Sequence, residues 1–251
     1  MKKPYVILGL LAAATTATAV PPSFTEGLVE FAGMQKSMLA TGKAEAVVPL
    51  SLMAGDADTF GVGAVAGLDG EITVFHGKPY VTKVRGTGYT VDHNHDHSAV
   101  FAVWTRQSQW TEEPVPAEIT SYLELQHFVK ERAAAAGIDV GNPFPFRLAG
   151  SPAEVKWHIN VDRTAGKPID RESFAKSKAH YVARNEPMDI IGFYSERHTG
   201  VFIGPYAPAI TKDSGVKNAI HIHLVTRDGQ SAGHIDNLTL APGMTLGLPK
   251  P

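Results

Sequence analysis

The chain has no cysteine, and that absence removes several chemistries at once. Disulfides, thiolate-ligated zinc, a thiol nucleophile and a lipoprotein anchor are excluded. Stability must then come from a hydrophobic core, and 251 residues are enough to build one or two. Charge of either sign is not in excess: 23 Lys and Arg stand against 25 Asp and Glu, for a net charge of −2. With no basic tract, neither nucleic acid nor an anionic membrane is indicated as a partner. Long apolar runs are scarce. The first, Tyr5 to Ala14, follows Met1-Lys2-Lys3 and precedes Ala17-Thr18-Ala19. It is too short and too soon ended for a membrane anchor, and it has small residues where signal peptidase cuts. Residues 1–19 are therefore expected to be a secretory signal peptide, and the protein to be periplasmic or secreted, with no membrane attachment after cleavage near Ala19.

The most informative stretch runs from Ala219 to His234. His221 and His223 alternate with Ile220, Ile222 and Leu224. This period of two predicts a strand with both imidazoles on one face. Asp228-Gly229 reads as a two-residue hairpin turn. About that turn His234 falls opposite His223, with cross-strand Cβ atoms roughly 4.5–5.5 Å apart. A longer loop over Thr226–Ser231 would shift this register. Three histidines with no fourth protein ligand nearby form the pattern of a catalytic zinc site, in which water or substrate takes the fourth position. The plainer reading is a hairpin with polar surface histidines; the register of His234 favours Zn2+ on His221, His223 and His234.

In chain order, Leu28–Phe31 can open as a strand, and Met34–Ala40 and Pro49–Ala54 suit short helices. Phe60–Glu71 is glycine-rich, but no Lys-Ser/Thr or helix pattern follows, so it is not a phosphate loop. Ile72–Phe75, the turn His76-Gly77 and Lys78–Thr82 form a second hairpin. Glu71, at its start, is either a solvated strand end or a catalytic acid/base. Asp92-His-Asn-His-Asp-His97 would put His93, His95 and His97 on one side as a strand, but its Asp and Asn favour a polar loop. Val100–Trp104 reads as a buried strand. Ser121 to Glu124 is a capping box that opens a helix with Leu125, Phe128 and Val129 inward and Gly137 beyond its end. His127 on it reads as structural. Asn142–Gly150 and Ala153–Val161 look extended. Asp170–Ala183 suits a helix with Phe174, Tyr181 and Val182 inward, which leaves His180 without a partner. Met188–Tyr194 and Gly200–Ile203 read as strands, and Gly204–Lys217 as a long loop of the kind that can form a lid.

The expected class is α+β: β-rich, mostly antiparallel sheets in two subdomains with two or three helices. The expected division is residues 20–140 for an N-terminal β-rich subdomain and residues 141–251 for a C-terminal one that carries the metal-binding hairpin. The boundary is placed near Gly137–Pro143.

Three blocks together resemble the acetolactate decarboxylases: Phe60-Gly-Val-Gly through Gly67-Leu-Asp-Gly-Glu71, Ile191-Gly192-Phe193, and His221-Ile-His223 with Gly233-His234. The last matches the family's zinc motif in residue types and spacing. The resemblance extends from about Phe31 to Leu248. It implies two β-rich subdomains, frequent homodimers, zinc on His221, His223 and His234, and Glu71 as a catalytic carboxylate. It further implies decarboxylation of 2-acetolactate or a related small-molecule hydroxy-oxo acid to acetoin and CO2, with zinc as Lewis acid on the enediolate. The chain departs from the family pattern in places. Ala64 stands where the family has an active-site Thr, and His158 aligns with its active-site Arg. The family's C-terminal glutamate has no counterpart before Pro251, and Gly204–Lys217 contains an apparent insertion. With that Arg missing, Arg147, Arg163 or a protonated His158 could serve as a cation for the substrate carboxylate. Two other readings use the same tripod: a zinc hydrolase of lactones or esters, with the ion generating hydroxide, and an exported metal-binding protein without turnover.

Overall fold

Alternation of apolar and polar residues builds two antiparallel sheets that face each other. The computed structural model describes residues 27–210 and 214–250, so the expected signal peptide lies outside the described residues. In chain order the elements are β1 (Val29–Gly33), α1 (Gln35–Thr41), β2 (Val48–Pro49), β3 (Thr59–Val65), β4 (Glu71–Phe75), β5 (Lys78–Arg85), β6 (Gly88–Asp92) and β7 (Ser98–Arg106). There follow β8 (Trp110–Pro114), α2 (Tyr122–Ala135), β9 (Phe144–Gly150), β10 (Glu154–Asn160), α3 (Arg171–Lys176), β11 (Lys178–Ala183), β12 (Met188–Tyr194), β13 (Ile220–Thr226), β14 (Ala232–Thr239) and β15 (Thr245–Pro249). The first sheet has the order β1-β7-β3-β4-β5-β6, with β2 beside β7, and the second β11-β10-β14-β13-β12-β9-β15-β8. The class is α+β and β-rich, as the sequence predicts. No helix among the described residues is long and apolar enough to cross a membrane.

Three apolar layers follow from the strand alternation. Ile72, Val74 and Val81 pack on the outer side of the first sheet with Leu50 and Met53. Between the sheets lie Phe60, Val62, Phe101, Ile191 and Phe193. On the far side of the second sheet, Ile220, Ile222 and Leu224 pack with Tyr122, Leu125 and Val129 of α2. Glu71 and Thr73 of β4 and His221 and His223 of β13 are the alternate residues of their strands, so they enter the space between the sheets.

The helix α2 starts as predicted. Ser121 accepts from the Glu124 backbone N–H, the Glu124 side chain accepts from the Ser121 N–H, and Gly137 lies past the end with φ of 82°. The predicted helix over Asp170–Ala183 is corrected: only Arg171–Lys176 is helical. Its cap is real, since the Asp170 carboxylate accepts from the Ser173 N–H at 2.7 Å. After Ser177 the chain becomes a strand that pairs with β10 from Lys178 to Ala183. Aromatic and β-branched residues there favour a pleated edge. Tyr181 stacks on Trp157 at 4.8 Å between centroids, while Val182 is exposed rather than inward. Gly200–Ile203 is likewise a turn and not a strand, closed by Gly200 N–H to Ile203 O at 2.7 Å. Its Phe202 and Ile203 are buried, and a short apolar run does not by itself distinguish strand from turn.

The hairpin loop is longer than two residues. Thr226 N–H donates to Ser231 O and Gly229 N–H to Thr226 O, which leaves Arg227–Gln230 as a four-residue loop. The lengthening is symmetric about Asp228-Gly229, so His223 still pairs with His234. The chain passes to the second sheet between Arg106 and Trp110, because β8 pairs with β15; this crossing precedes the expected boundary near Gly137–Pro143.

Gly192 lies between its cross-strand neighbours on the α2 side. A Cβ there would sit 2.4 Å from the Phe146 ring and 2.7 Å from Ile222 Cγ2. Gly192→Ala is expected to destabilise the protein by about 1–3 kcal/mol through overpacking. A urea-unfolding midpoint equal to that of wild type would contradict this packing account.

Candidate metal centre

β13 runs between β12 and β14 in the second sheet, opposite β4 of the first. The Nε2 atoms of His221 and His223 are 3.1 Å apart. Ring centroids are 5.0 Å apart for His221 and His223, 4.8 Å for His221 and His234, and 5.3 Å for His223 and His234. One nitrogen from each of the three lies within 4.8 Å of the others. Metal–nitrogen bonds of about 2.0–2.1 Å in a tetrahedral site put ligand nitrogens about 3.3 Å apart. The His221–His223 pair thus already has the spacing that one ion would need.

The protonation pattern also suits a cation. Burial holds all three imidazoles below the usual histidine range, and neighbouring positive groups push in the same direction. Buried neutral imidazoles offer lone pairs. His223 Nδ1 is 3.0 Å from Thr73 Oγ1 on β4. With Nδ1–H donated to that hydroxyl, Nε2 keeps the lone pair facing His221. These donors therefore fit a metal ion.

Glu71 sits above the tripod, its Oε2 3.8 Å from His223 Nε2 and its Oε1 3.7 Å from His158 Nε2. Burial lifts its carboxyl well above the usual range, against the opposing effects of Lys178 and the Asn160 backbone N–H. Ala64 on β3 and Thr82 on β5 both pair with Glu71, so the hydroxyl across from this residue comes from the β5 side, where Thr82 Oγ1 is buried without a hydrogen-bond partner among the described residues. His158 on β10 pairs with His234 and lies between Glu71 and Asp236, with Nδ1 2.9 Å from Asp236 Oδ1. Burial pushes His158 down to about 4, partly offset by that carboxylate. Gly233 makes room for this strand: a Cβ there would lie 2.9 Å from His158 O and from the Trp157 ring.

A second group of donors, His158, His234 and Asp236, shares His234 with the tripod. Its His158 Nδ1 and Asp236 Oδ1 already satisfy each other. The tripod is the better candidate for that reason.

The structure thus gathers His221, His223, His234, Glu71 and His158. It does not bring Arg147 or Arg163 to them. The Arg147 guanidinium engages Glu112 and lies over the Trp110 ring at 5.0 Å. Arg163 Nη1 donates to Lys176 O. The His93–His97 run is a loop, with His93 on Pro79 O and His97 on Asp92. His127 is exposed on α2. Two surface clefts, one at Gln107 and Gly137–Phe144 and one at Gln126 and Lys217–Ala219, contain none of the gathered side chains.

Three participants, Thr73, Asp236 and Lys178, were not singled out from the sequence, and a fourth, His180, was left there without a partner. Thr73 and Asp236 lie two residues beyond Glu71 and His234, so the strand period alone places them on the same faces. His180 and Lys178 become visible only when Lys178–Ala183 is read as a strand. His180 then pairs with His158, and its Nδ1 is 3.3 Å from Asp236 Oδ2. Lys178 pairs with Asn160, and its positive charge acts on Glu71, His158, His221, His234 and Asp236.

A model of the alpha-acetolactate decarboxylase family matches residues 34–247. Among solved structures, the alpha-acetolactate decarboxylase of Bacillus subtilis strain 168 superposes with a TM-score of 0.68 at 17% identity, over 89% of this chain and 86% of that one. The acetolactate decarboxylase of Bacillus subtilis subspecies spizizenii gives 0.63 at 18% identity, over 88% and 85%. A Staphylococcus aureus protein of unknown function similar to alpha-acetolactate decarboxylase gives 0.63 at 15%, over 87% and 84%. At these identities the structural likeness speaks for the fold. No curated protein matches the chain by sequence.

In metal-free protein burial holds the four imidazoles below the ordinary histidine range, His158 at about 4 and His221 at about 3, whereas in the unfolded chain they protonate near 6.5. The unfolded state then binds more protons, so stability should fall as pH drops from about 7 to 4. Glu71, with its raised pKa, acts in the opposite direction above its ordinary value, but it is one group against four. Denaturant midpoints of chelated protein that stay level or rise over this range would contradict neutral burial.

Proposed function

The chain belongs to the alpha-acetolactate decarboxylase family, and from that premise we propose that it is a zinc-dependent carboxy-lyase. Its substrate is 2-acetolactate or a related 2-hydroxy-3-oxo acid, and its products are acetoin and CO2. The observation that carries this reading is the convergence of two buried histidines and a part-buried third with a buried carboxyl of raised pKa between the sheets. The Met1–Ala19 pattern supports a periplasmic or secreted location.

Zinc held by His221, His223 and His234 would act as a Lewis acid on the substrate oxygens, a contribution of several kcal/mol. Loss of CO2 leaves an electron pair on the carbon that bore the carboxylate, and that carbon must gain a proton. Glu71 is the acid for this step: its buried carboxyl keeps its proton where an ordinary glutamate has lost it. His158 faces Glu71 as a neutral ring tied to Asp236, so it brings no charge to a substrate carboxylate. We assign it to holding Glu71. Phe101, Ile191 and Phe193 give the site an apolar wall that excludes water. Ala64 offers Glu71 no hydroxyl from β3, so the hydroxyl paired across from the carboxyl is that of Thr82 on β5, buried and without a hydrogen-bond partner among the described residues.

The test is acetoin and CO2 release from racemic 2-acetolactate by zinc-loaded protein. Wild type should turn over. Glu71→Gln should lose about 10²–10⁴-fold in kcat with its zinc retained. His221→Ala should lose stoichiometric zinc by elemental analysis. Absence of turnover above the zinc-only background, with one zinc bound per chain, would overturn the decarboxylase reading; full zinc in His221→Ala would overturn the ligand set. Separately, Thr73→Val frees His223 Nδ1, and the zinc affinity should fall by about 10–100-fold. An unchanged zinc Kd in a chelator competition would show that the hydroxyl does not orient the ring.

A further inference from the structure

A carboxylate substrate needs a cation, and the sequence offers three at the wrong places or in the wrong state. Arg147 is engaged with Glu112, Arg163 is engaged with the Lys176 carbonyl, and His158 is neutral. The edge strand β11 supplies another. Lys178 pairs with Asn160, and two residues on His180 pairs with His158, so Lys178 projects to the same side of the sheet as the His158 ring. Its side chain is part-exposed. The ammonium lies over the Phe174 ring, 5.4 Å from its centroid, and forms no ion pair among the described residues. That register puts Lys178 on the His158 side of the β10–β11 ladder, and the direction in which its charge shifts Glu71, Asp236 and three of the histidines agrees with that position. Across from it, the Asn160 side-chain oxygen is buried and has no hydrogen-bond partner. An orphaned acceptor at that depth fits a donor that arrives with a ligand, such as a substrate hydroxyl.

We propose that Lys178 is the carboxylate anchor of this site, receiving the substrate anion at the open β10–β11 edge while the hydroxyl and keto oxygens face the histidine tripod. The inference rests on the decarboxylase reading. An ammonium presents three donors on a flexible stem, so it can hold a carboxylate as a point charge without the bidentate fit of an arginine. The carboxylate leaves as neutral CO2, so the ion pair belongs to the ground state and its loss should appear in KM more than in kcat.

Zinc-loaded wild type, Lys178→Met and Lys178→Arg are titrated calorimetrically with 2,3-dihydroxy-2-methylbutanoate, which keeps the carboxylate but cannot lose CO2. Butane-2,3-diol, which lacks the carboxylate, is the control. Lys178→Met should bind the acid roughly ten- to hundredfold more weakly, as expected for loss of a charged hydrogen bond. Its diol affinity and its one zinc per chain should be unchanged, and Lys178→Arg should retain most of the acid binding. KM for 2-acetolactate should rise in Lys178→Met by a similar factor, with kcat nearly constant. Equal acid binding by wild type and Lys178→Met, or none by either, overturns the anchor. If wild type turns over 2-acetolactate and Lys178→Met matches it, the anchor fails and the decarboxylase reading stands. If wild type does not turn over but Lys178→Met alone loses the acid, the anchor stands for a different carboxylate substrate.

Discussion

The structure depends on placing polar side chains between two sheets at a depth where they must satisfy one another. Elsewhere that interior is Phe60, Val62, Ile191 and Phe193. At one end it is Glu71, Thr73, His158, His221, His223 and Asp236, all buried. A buried polar group without a partner costs several kcal/mol, and a buried unpaired charge far more. The molecule meets this constraint by keeping most of the group neutral and by bonding its members in a chain: Thr73 to His223, His158 to Asp236, Asp236 to His180. Every member sits on a strand, so backbone register fixes the spacing. Sites built on regular elements hold their geometry more closely than sites on loops.

That dependence on strands explains how much of the site could be read from the sequence. The His221–His223 pair is legible because a two-residue period on a β-branched run leaves one choice of face. His234 is legible because the turn residues centre the hairpin correctly, although the loop is four residues long. A loop lengthened on one side only would have moved His234 to the opposite face. The β10–β11 edge was not legible. Asp170 and Ser173 form a true helix cap, and nothing local says that the helix ends after six residues. The pairing of Lys178–Ala183 with β10 is a tertiary fact, and with it went the faces of Lys178 and His180. The short strands Gly88–Asp92, Trp110–Pro114 and Thr245–Pro249 escaped for a related reason: each is five residues long, and their Gly and Pro residues read as turn signals.

Family membership and the departures from its pattern are compatible once the site is seen as layered. The tripod and Glu71 come from β4, β13 and β14, whose mutual register is fixed by the sheet-to-sheet packing. The altered positions lie around them: Ala64 beside Glu71 on β3, and His158 on β10. His158 is tightly placed among these groups. The His158 ring fills the space between Glu71 and Asp236 and is held there by its Nδ1 bond.

The two carboxylates of this cluster show how environment divides roles between like groups. For each, burial pushes the pKa up. At Asp236 the hydrogen bond from His158, with the positive charge of Lys178, outweighs burial, and the carboxyl ends below its ordinary value. At Glu71 the opposing influences are Lys178 and one backbone N–H from Asn160, while Asp236 adds repulsion, and burial wins. Separated pKa values of this kind mark which group gives a proton and which stays an anion. Asp236 is then the fixed charge that sets the His158 tautomer, and in the proposed reaction Glu71 is the group with a proton to donate. With Asp236 negative, Lys178 positive and the buried imidazoles neutral, these groups nearly balance in charge. That balance makes so many ionisable side chains tolerable between two sheets, and it leaves the entry of a divalent ion and an anionic substrate as the events that change it.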